Sequence, residues 1–150
     1  MKNYNHYFLS LFLLLLCWSG YSQQGPGRDR IKSLKVGFIT ERVGLTSDEA
    51  TSFWPIYMAH EEALGKLRRQ ERREVNGRLE EIEALSENEI DKILNSLMSL
   101  EEEKQELNQT YLKEIRKVIS AKKTLLLIQA EIAFKKRLLQ EMQKRRRGER

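Results

Sequence analysis

The side chains best suited to chemistry are a run of cations in the middle of the chain. This run, called here the basic block, comprises Lys66, Arg68, Arg69, Arg72 and Arg73. Guanidinium groups bind carboxylates and phosphates through paired N–H donors and attract acidic partners over long distances. Aromatic residues earlier in the same segment could adapt to apolar partners. The pattern predicts a client-binding surface made of Arg68, Arg69, Arg72, Arg73, Phe53 and Trp54.

Each part of this surface also has a plainer interpretation. Aromatic residues at helical spacing are usually buried in a core. The arginines can instead face solvent and pair at helical spacing with the acidic residues around them, which are Glu61, Glu62, Glu71 and Glu74. The acidic run Glu101–Glu103 either forms a solvated face or contacts the basic block of another copy.

The chain offers little for catalysis or metal binding. It contains two histidines, and the signal peptide described below would remove one of them and leave His60. No Gly-x-Ser-x-Gly, His-Glu-x-x-His or glycine-rich phosphate loop is present. One histidine without cysteine is a poor ligand set for a transition metal. We therefore predict a non-enzymatic protein with no cofactor, in which His60 is a weak metal candidate and otherwise a helix-surface residue.

The first 22 residues resemble a secretion signal. Lys2 precedes the apolar run Phe8–Trp18, and small residues then precede a predicted cleavage ahead of Gln23. The run is too short to span a bilayer, which favours a cleaved peptide over an uncleaved anchor. We expect residues 1–22 to be removed and the protein to be periplasmic. Cys17, the single cysteine, would leave with the signal, so core burial or association must stabilise the mature chain.

Composition indicates one helical domain with a mild positive charge. Charged residues make up 33% of the chain, and its net charge of +5 would become +4 after cleavage. This bias is too small to indicate nucleic-acid binding. We predict a flexible leader at residues 23–28, a helical domain at 29–144 and a basic tail at 145–150. The basic C-terminus would allow weak contact with a membrane surface.

Three similar segments predict where helices begin. In a capping box, a Ser or Thr hydroxyl accepts the N–H three residues later, and a Glu side chain there binds the cap's own N–H. The predicted capping residues, with the flanking apolar positions, are Leu45, Thr46, Glu49, Leu85, Ser86, Glu89, Ile119 and Ser120. In the third segment Lys123 replaces the acid and cannot close the box. Gly44 is predicted to end the first helix in a left-handed conformation.

These signals predict four helices. They span residues 29–43, 46–84, 86–118 and 120–144, with a kink at Pro55 and a possible break at Asn76-Gly77 in the second. Long helices with narrow apolar stripes and short links need a second copy to complete their core. The predicted fold is all-α: an elongated antiparallel helical hairpin of about four helices, completed by homodimerisation.

The last helix carries two sets of apolar residues. The main predicted stripe is Leu125, Ile128, Ile132, Leu139 and Met142. Leu127, Ala130, Phe134 and Leu138 are expected to widen it.

Several of these segments resemble the periplasmic Spy/CpxP proteins. Leu45-Thr46-x-x-Glu49 is similar to their Leu-Thr-x-x-Gln motif, and Ile119-Ser120-x-x-Lys123 falls where a second copy would lie. Phe38–Glu41, Phe53–Tyr57 and Ala130–Leu139 resemble a divergent branch described as sensors of extracytoplasmic-function sigma factors or periplasmic heavy-metal sensors. The resemblance covers about residues 29–144.

The resemblance implies a cradle-shaped helical dimer without enzymatic activity. Its expected role is in envelope stress, either chaperone-like or as a sensor coupled to a sigma-factor pathway. Its expected partners are a second copy, unfolded envelope proteins or a membrane signalling protein, and not nucleic acid. A heavy-metal sensor domain and a structural coiled-coil spacer are the alternatives.

Overall fold

The computed structural model describes residues 26–148. The predicted signal peptide, residues 23–25 of the predicted leader and the last two residues lie outside this range, and residues 26–28 of that leader belong to the first helix instead of a flexible segment. Within it, four long helices account for most of the chain, and no strand is present. They are α1 (Pro26–Val43), α2 (Ser47–Glu71), α3 (Glu87–Val118) and α4 (Ala121–Gly148). The predicted all-α class is confirmed.

The predicted capping residues define the helix boundaries. Gly44 ends α1 with φ of 66°, and its N–H donates to the Thr40 carbonyl at 3.1 Å. Thr46 caps α2 through a complete capping box, and at the start of α3 the Glu89 carboxylate accepts the Ser86 N–H at 2.9 Å and the Ser86 hydroxyl at 2.8 Å. The Ser120 hydroxyl accepts the Lys123 N–H at 3.2 Å at the start of α4. Short polar side chains therefore satisfy N–H groups that have no partner inside their helix.

The prediction that the second helix continues to residue 84 is wrong beyond Glu71. The α-helix passes through Pro55 but gives way to a π-helical turn at Arg72–Asn76. One further turn, Gly77–Leu79, and a 3-10 turn, Ile82–Ala84, lead to α3. This irregular backbone includes Asn76 and Gly77, two residues that weaken the sequence pattern of a helix. The bend at Pro55 stays a prediction.

α4 continues further than the sequence indicates. It runs through Arg145, Arg146 and Arg147 to Gly148, so the described part of the predicted basic tail is helical.

The contacts between α2 and α3 run in opposite chain directions. The ring of Tyr57 packs against that of Tyr111, and Glu71, further along α2, binds Lys104, which precedes Tyr111 on α3. α4 follows the direction of α2, because Lys123 binds Glu49 and Glu131 lies near Tyr57. The buried apolar core of residues 39–148 comprises Ile39, Val43, Phe53, Tyr57, Leu64, Val75, Leu100, Tyr111, Ile115, Ile119, Leu127, Ala130 and Phe134.

The structure reverses the predicted importance of the two apolar sets on α4. Leu127, Ala130 and Phe134, expected only to widen the stripe, are its buried apolar residues. The predicted main stripe, represented by Leu125 and Ile132, is exposed. The two sets lie on different sides of the helix, so helical periodicity alone could not assign the buried side.

The chain divides into two compact units, with the boundary between Phe38 and Ile39. Residues 26–38 belong to the first unit, where Ile31 and Leu34 are exposed. Residues 39–148 belong to the second, which holds the candidate site. Between Pro26 and Gly148, no helix combines the length and apolar character that a membrane span requires.

Candidate functional site

The basic block lies at the C-terminal end of α2 and enters the π-helical turn. All five of its side chains are exposed. The α-helix ends at Glu71, so Lys66, Arg68 and Arg69 belong to α2, whereas Arg72 and Arg73 begin the π turn. The block therefore forms a cationic surface at the point where the regular helix stops.

The acidic neighbours of the block bind α3 instead. Glu71 Oε2 accepts from Lys104 Nζ at 2.8 Å, and Glu74 Oε2 accepts from the Ser96 hydroxyl at 2.6 Å. Lys104 also donates to Glu101 at 2.8 Å, and these two carboxylates raise the pKa of Lys104. In this structure Glu71 and Glu74 therefore do not pair with the arginines at helical spacing.

One acidic neighbour is partly neutralised by the block. Glu62 Oε1 lies 3.0 Å from Lys66 Nζ, and both side chains are exposed. The bond from Lys66, helped by the charge of Arg69, holds the pKa of Glu62 below its usual value. Among residues 26–148, no ion pair joins Arg68, Arg72 or Arg73 to a carboxylate.

Two glycines lie where a side chain would have little space next to atoms of the basic block. A Cβ atom on Gly65 would lie 3.3 Å from Nη1 of Arg69, so that guanidinium sits over the glycine backbone. A Cβ on Gly77 would lie 3.2 Å from the carbonyl oxygen of Arg72, which accepts the Gly77 N–H in the π turn. The same turn buries Val75 while its neighbours stay exposed. Single π turns inside helices often occur at functional sites.

The predicted client-binding residues do not form one surface. Phe53 is fully buried, with its ring centroid 5.0 Å from that of Trp54 and 5.5 Å from that of Tyr57. Trp54 is half-buried. Fourteen or more residues separate these aromatics from Arg68, a distance of roughly 20 Å along a helix. A client at the arginines could not reach Phe53 in this structure, which leaves the arginines as the accessible part of the predicted site.

His60 is buried, which corrects the expectation of a helix-surface residue. Its imidazole stacks on the Tyr111 ring with centroids 3.9 Å apart and planes 9° apart. Its Nε2–H donates to Oδ1 of Asn108 at 3.0 Å, because that oxygen can only accept. The histidine is 8% exposed and links α2 to α3.

Two carboxylates, those of Glu61 and Glu131, lie near the same buried rings. Burial raises the pKa of Tyr57 far above its usual value, and the charges of Glu131 and Glu61 raise it further. The same causes, in the same order, raise the pKa of Tyr111. Both phenols therefore stay protonated. We call Tyr57, His60, Asn108, Tyr111 and Glu131 the polar cluster. The sequence shows Tyr57, His60 and Glu61 at helical spacing, but only the packing of three helices reveals the cluster.

The metal interpretation finds no support in this geometry. Nε2 of His60 is occupied by Asn108, and the ring is stacked on Tyr111. In the part of the chain that the structure describes, no group of three or more His, Cys, Asp and Glu side chains could hold a metal ion.

The first and third capping segments meet through Lys123. The Lys123 ammonium donates to Glu49 Oε2 at 2.5 Å and to the Gly44 carbonyl at 2.7 Å. Glu49 also accepts the Thr46 N–H at 2.8 Å, and the Lys123 and Thr46 bonds hold the pKa of Glu49 below its usual value. The lysine that cannot close its own box thus joins the start of α4 to the link between α1 and α2.

Comparison of the chain with protein-family models, with curated proteins and with solved structures found no match.

Proposed function

We propose that this chain is a non-enzymatic periplasmic protein of the envelope-stress response that binds acidic segments of unfolded proteins through its basic block. One observation carries the proposal: Arg68, Arg72 and Arg73 are exposed while nearby Glu71 and Glu74 are bonded to α3. Because these two carboxylates bind α3, the arginines remain available to an external partner.

The chemistry of the block suits a partner without fixed structure. Exposed guanidinium groups offer many N–H donors and attract acidic chains before contact. No deep apolar pocket is needed for such binding. The same surface would serve a holdase or a sensor that passes the signal to a sigma-factor pathway.

We further propose a helical hairpin made of α2 and α3, completed by a second copy of the chain. The opposite chain directions of their contacts support the hairpin. Leu94 and Met98, one turn apart on α3, support the dimer because they are 50% and 70% exposed. Exposed apolar side chains that are adjacent on one helix favour association. Sedimentation equilibrium at micromolar concentration would detect it, and a fully helical monomer would contradict it.

The client proposal is tested by aggregation of an unfolded acidic protein at low and high salt. We expect the purified chain to suppress aggregation at low salt, and the effect to weaken as salt rises, since exposed charges are screened over about 8–10 Å at physiological ionic strength. The variant Arg68→Ser, Arg69→Ser, Arg72→Ser, Arg73→Ser should lose most of this activity. Exposed substitutions cost little stability, so its helicity should persist.

A matched variant separates a local surface from overall charge. Lys92→Ser, Lys113→Ser, Arg116→Ser and Lys117→Ser remove the same number of exposed cations from α3. This control should retain the activity. Full activity in a folded arginine variant, or equal loss in both variants, would contradict the proposed site.

A further inference from the structure

The outer face of α4 presents apolar side chains to solvent along most of the helix. Leu125 is 69% exposed, Ile132 66% and Leu139 51%. The full outer face comprises Leu125, Ile128, Ile132, Leu139 and Met142. Its first and last residues are 17 positions apart, which is about 26 Å of helix. Exposed apolar side chains aligned on one side of a helix indicate a binding surface rather than scattered surface residues.

Cations lie within this outer face and along one of its edges. At 100° per residue, Lys135 and Arg146 fall between the apolar side chains of this face, and Lys136 and Arg147 fall along one of its edges. Residues 135–147 carry seven basic side chains and one acidic one, Glu141, which gives a local charge of +6. Almost all of this segment is exposed. The partner must therefore accept apolar side chains and many positive charges together.

A second copy of the chain fits this face poorly. Pairing two α4 helices would bring like charges together, with Lys135 inside the apolar stripe. The acidic outer side of α3 offers Leu94 and Met98 as exposed apolar residues, and these cover one turn, about 6 Å of helix. That patch is too short for the α4 stripe.

We propose that the outer face of α4 binds an anionic phospholipid surface. A helix that presents apolar side chains together with lysines and arginines lies in the headgroup region, where the apolar side chains enter the acyl boundary and the cations meet lipid phosphates. Long cationic side chains keep their charge at the headgroups while their stems cover apolar surface. The inner side of α4, at Leu127 and Phe134, stays packed on the protein. This inference uses residues outside the basic block and stands apart from the client proposal.

Co-sedimentation with lipid vesicles tests the inference. The purified chain should bind vesicles of phosphatidylglycerol mixed with phosphatidylcholine and should not bind phosphatidylcholine alone. The variant Lys135→Gln, Lys136→Gln, Arg146→Gln, Arg147→Gln should lower partitioning on the order of 1,000-fold at low salt. The variant Ile132→Gln, Leu139→Gln should lower it at least about tenfold while leaving the charge unchanged.

The control removes four cations from α3: Lys92→Gln, Lys113→Gln, Arg116→Gln and Lys117→Gln. It should bind vesicles nearly as well as the unchanged chain. Circular dichroism would establish that each variant remains helical. Failure of the unchanged chain to bind anionic vesicles, or equal loss in the control, would overturn the proposal. It would also be overturned if Ile132→Gln, Leu139→Gln converted a dimer to a monomer, because the face would then belong to a second copy.

Discussion

At its N-terminal end α2 meets both α3 and α4, and Phe53, Tyr57 and His60 are buried there. At its C-terminal end the helix loses regular geometry at Arg72–Asn76, and Val75 is buried there among exposed neighbours. Both ends carry apolar residues at helical spacing. The difference comes from the number of helices that surround them.

Because of this difference, one end of α2 contributes mainly to the stability of the fold, and the other end is available for binding. Where three helices meet, the aromatic rings and the polar cluster fix the packing. Where α2 ends, side chains such as Arg68 are held by few neighbours and can meet a partner. Regions with fewer buried contacts are the ones that proteins use for binding and local opening.

The largest expected effect comes from truncating the packed end. Phe53→Ala should lower the free energy of unfolding by about 3–5 kcal/mol, because it leaves a cavity where a fully buried ring was. Leu79→Ala, in the short turn that follows the π turn, should cost less than about 1 kcal/mol, since Leu79 is 48% exposed. Urea unfolding followed by circular dichroism measures both. Equal costs would break the comparison, and Phe53→Leu provides a milder variant if Phe53→Ala does not fold.

The sequence predicts the helix boundaries well because local chemistry sets them. Gly44 supplies the left-handed residue, and Thr46, Ser86 and Ser120 cap the helices that follow. These interactions join residues three or four positions apart, so a single segment contains all the information. The end of α2 is harder to predict, because the π turn at Arg72–Asn76 has no comparable signal.

The candidate site is predicted only in part, because burial depends on distant residues. The exposure of Arg68 follows from its charge. The burial of His60 does not follow from its neighbours, since Tyr111 and Asn108 come from α3. The partner of Lys123 is likewise distant in sequence: it is Glu49, not a residue of its own helix.

A smaller effect is expected from the hydrogen bond between α2 and α3. Asn108→Leu removes the acceptor of His60, and an unsatisfied buried donor costs about 1–3 kcal/mol. Because Asn108 is exposed, water can replace part of the lost bond, which favours the lower end of that range. Asn95→Leu, at an exposed position of the same helix, is the control and should change the unfolding free energy less. The idea fails if the two variants are equally stable.

The smallest expected effect concerns the ion pair that joins α4 to the start of α2. Lys123 holds the pKa of Glu49 below its ordinary value of 4.5. A carboxyl whose pKa is lower in the folded state stabilises the fold above its unfolded pKa, and this contribution is lost as the pH falls through the folded pKa. Glu49→Gln should therefore be less stable than the unchanged chain at neutral pH, and the difference should shrink as the pH falls below 4.5.

Unfolding curves of Glu49→Gln, Lys123→Gln and the double variant, at neutral and acidic pH, would isolate the coupling between the two side chains. We expect the double variant to lose less than the sum of the single variants at neutral pH. Glu62→Gln serves as the comparison, because its partner Lys66 lies on the same helix and both side chains are well exposed. If the double variant loses as much unfolding free energy as the two single variants together, the bond between Glu49 and Lys123 does not stabilise the packing of α4. The packed end of α2 would then owe its stability to the aromatic core and the polar cluster alone.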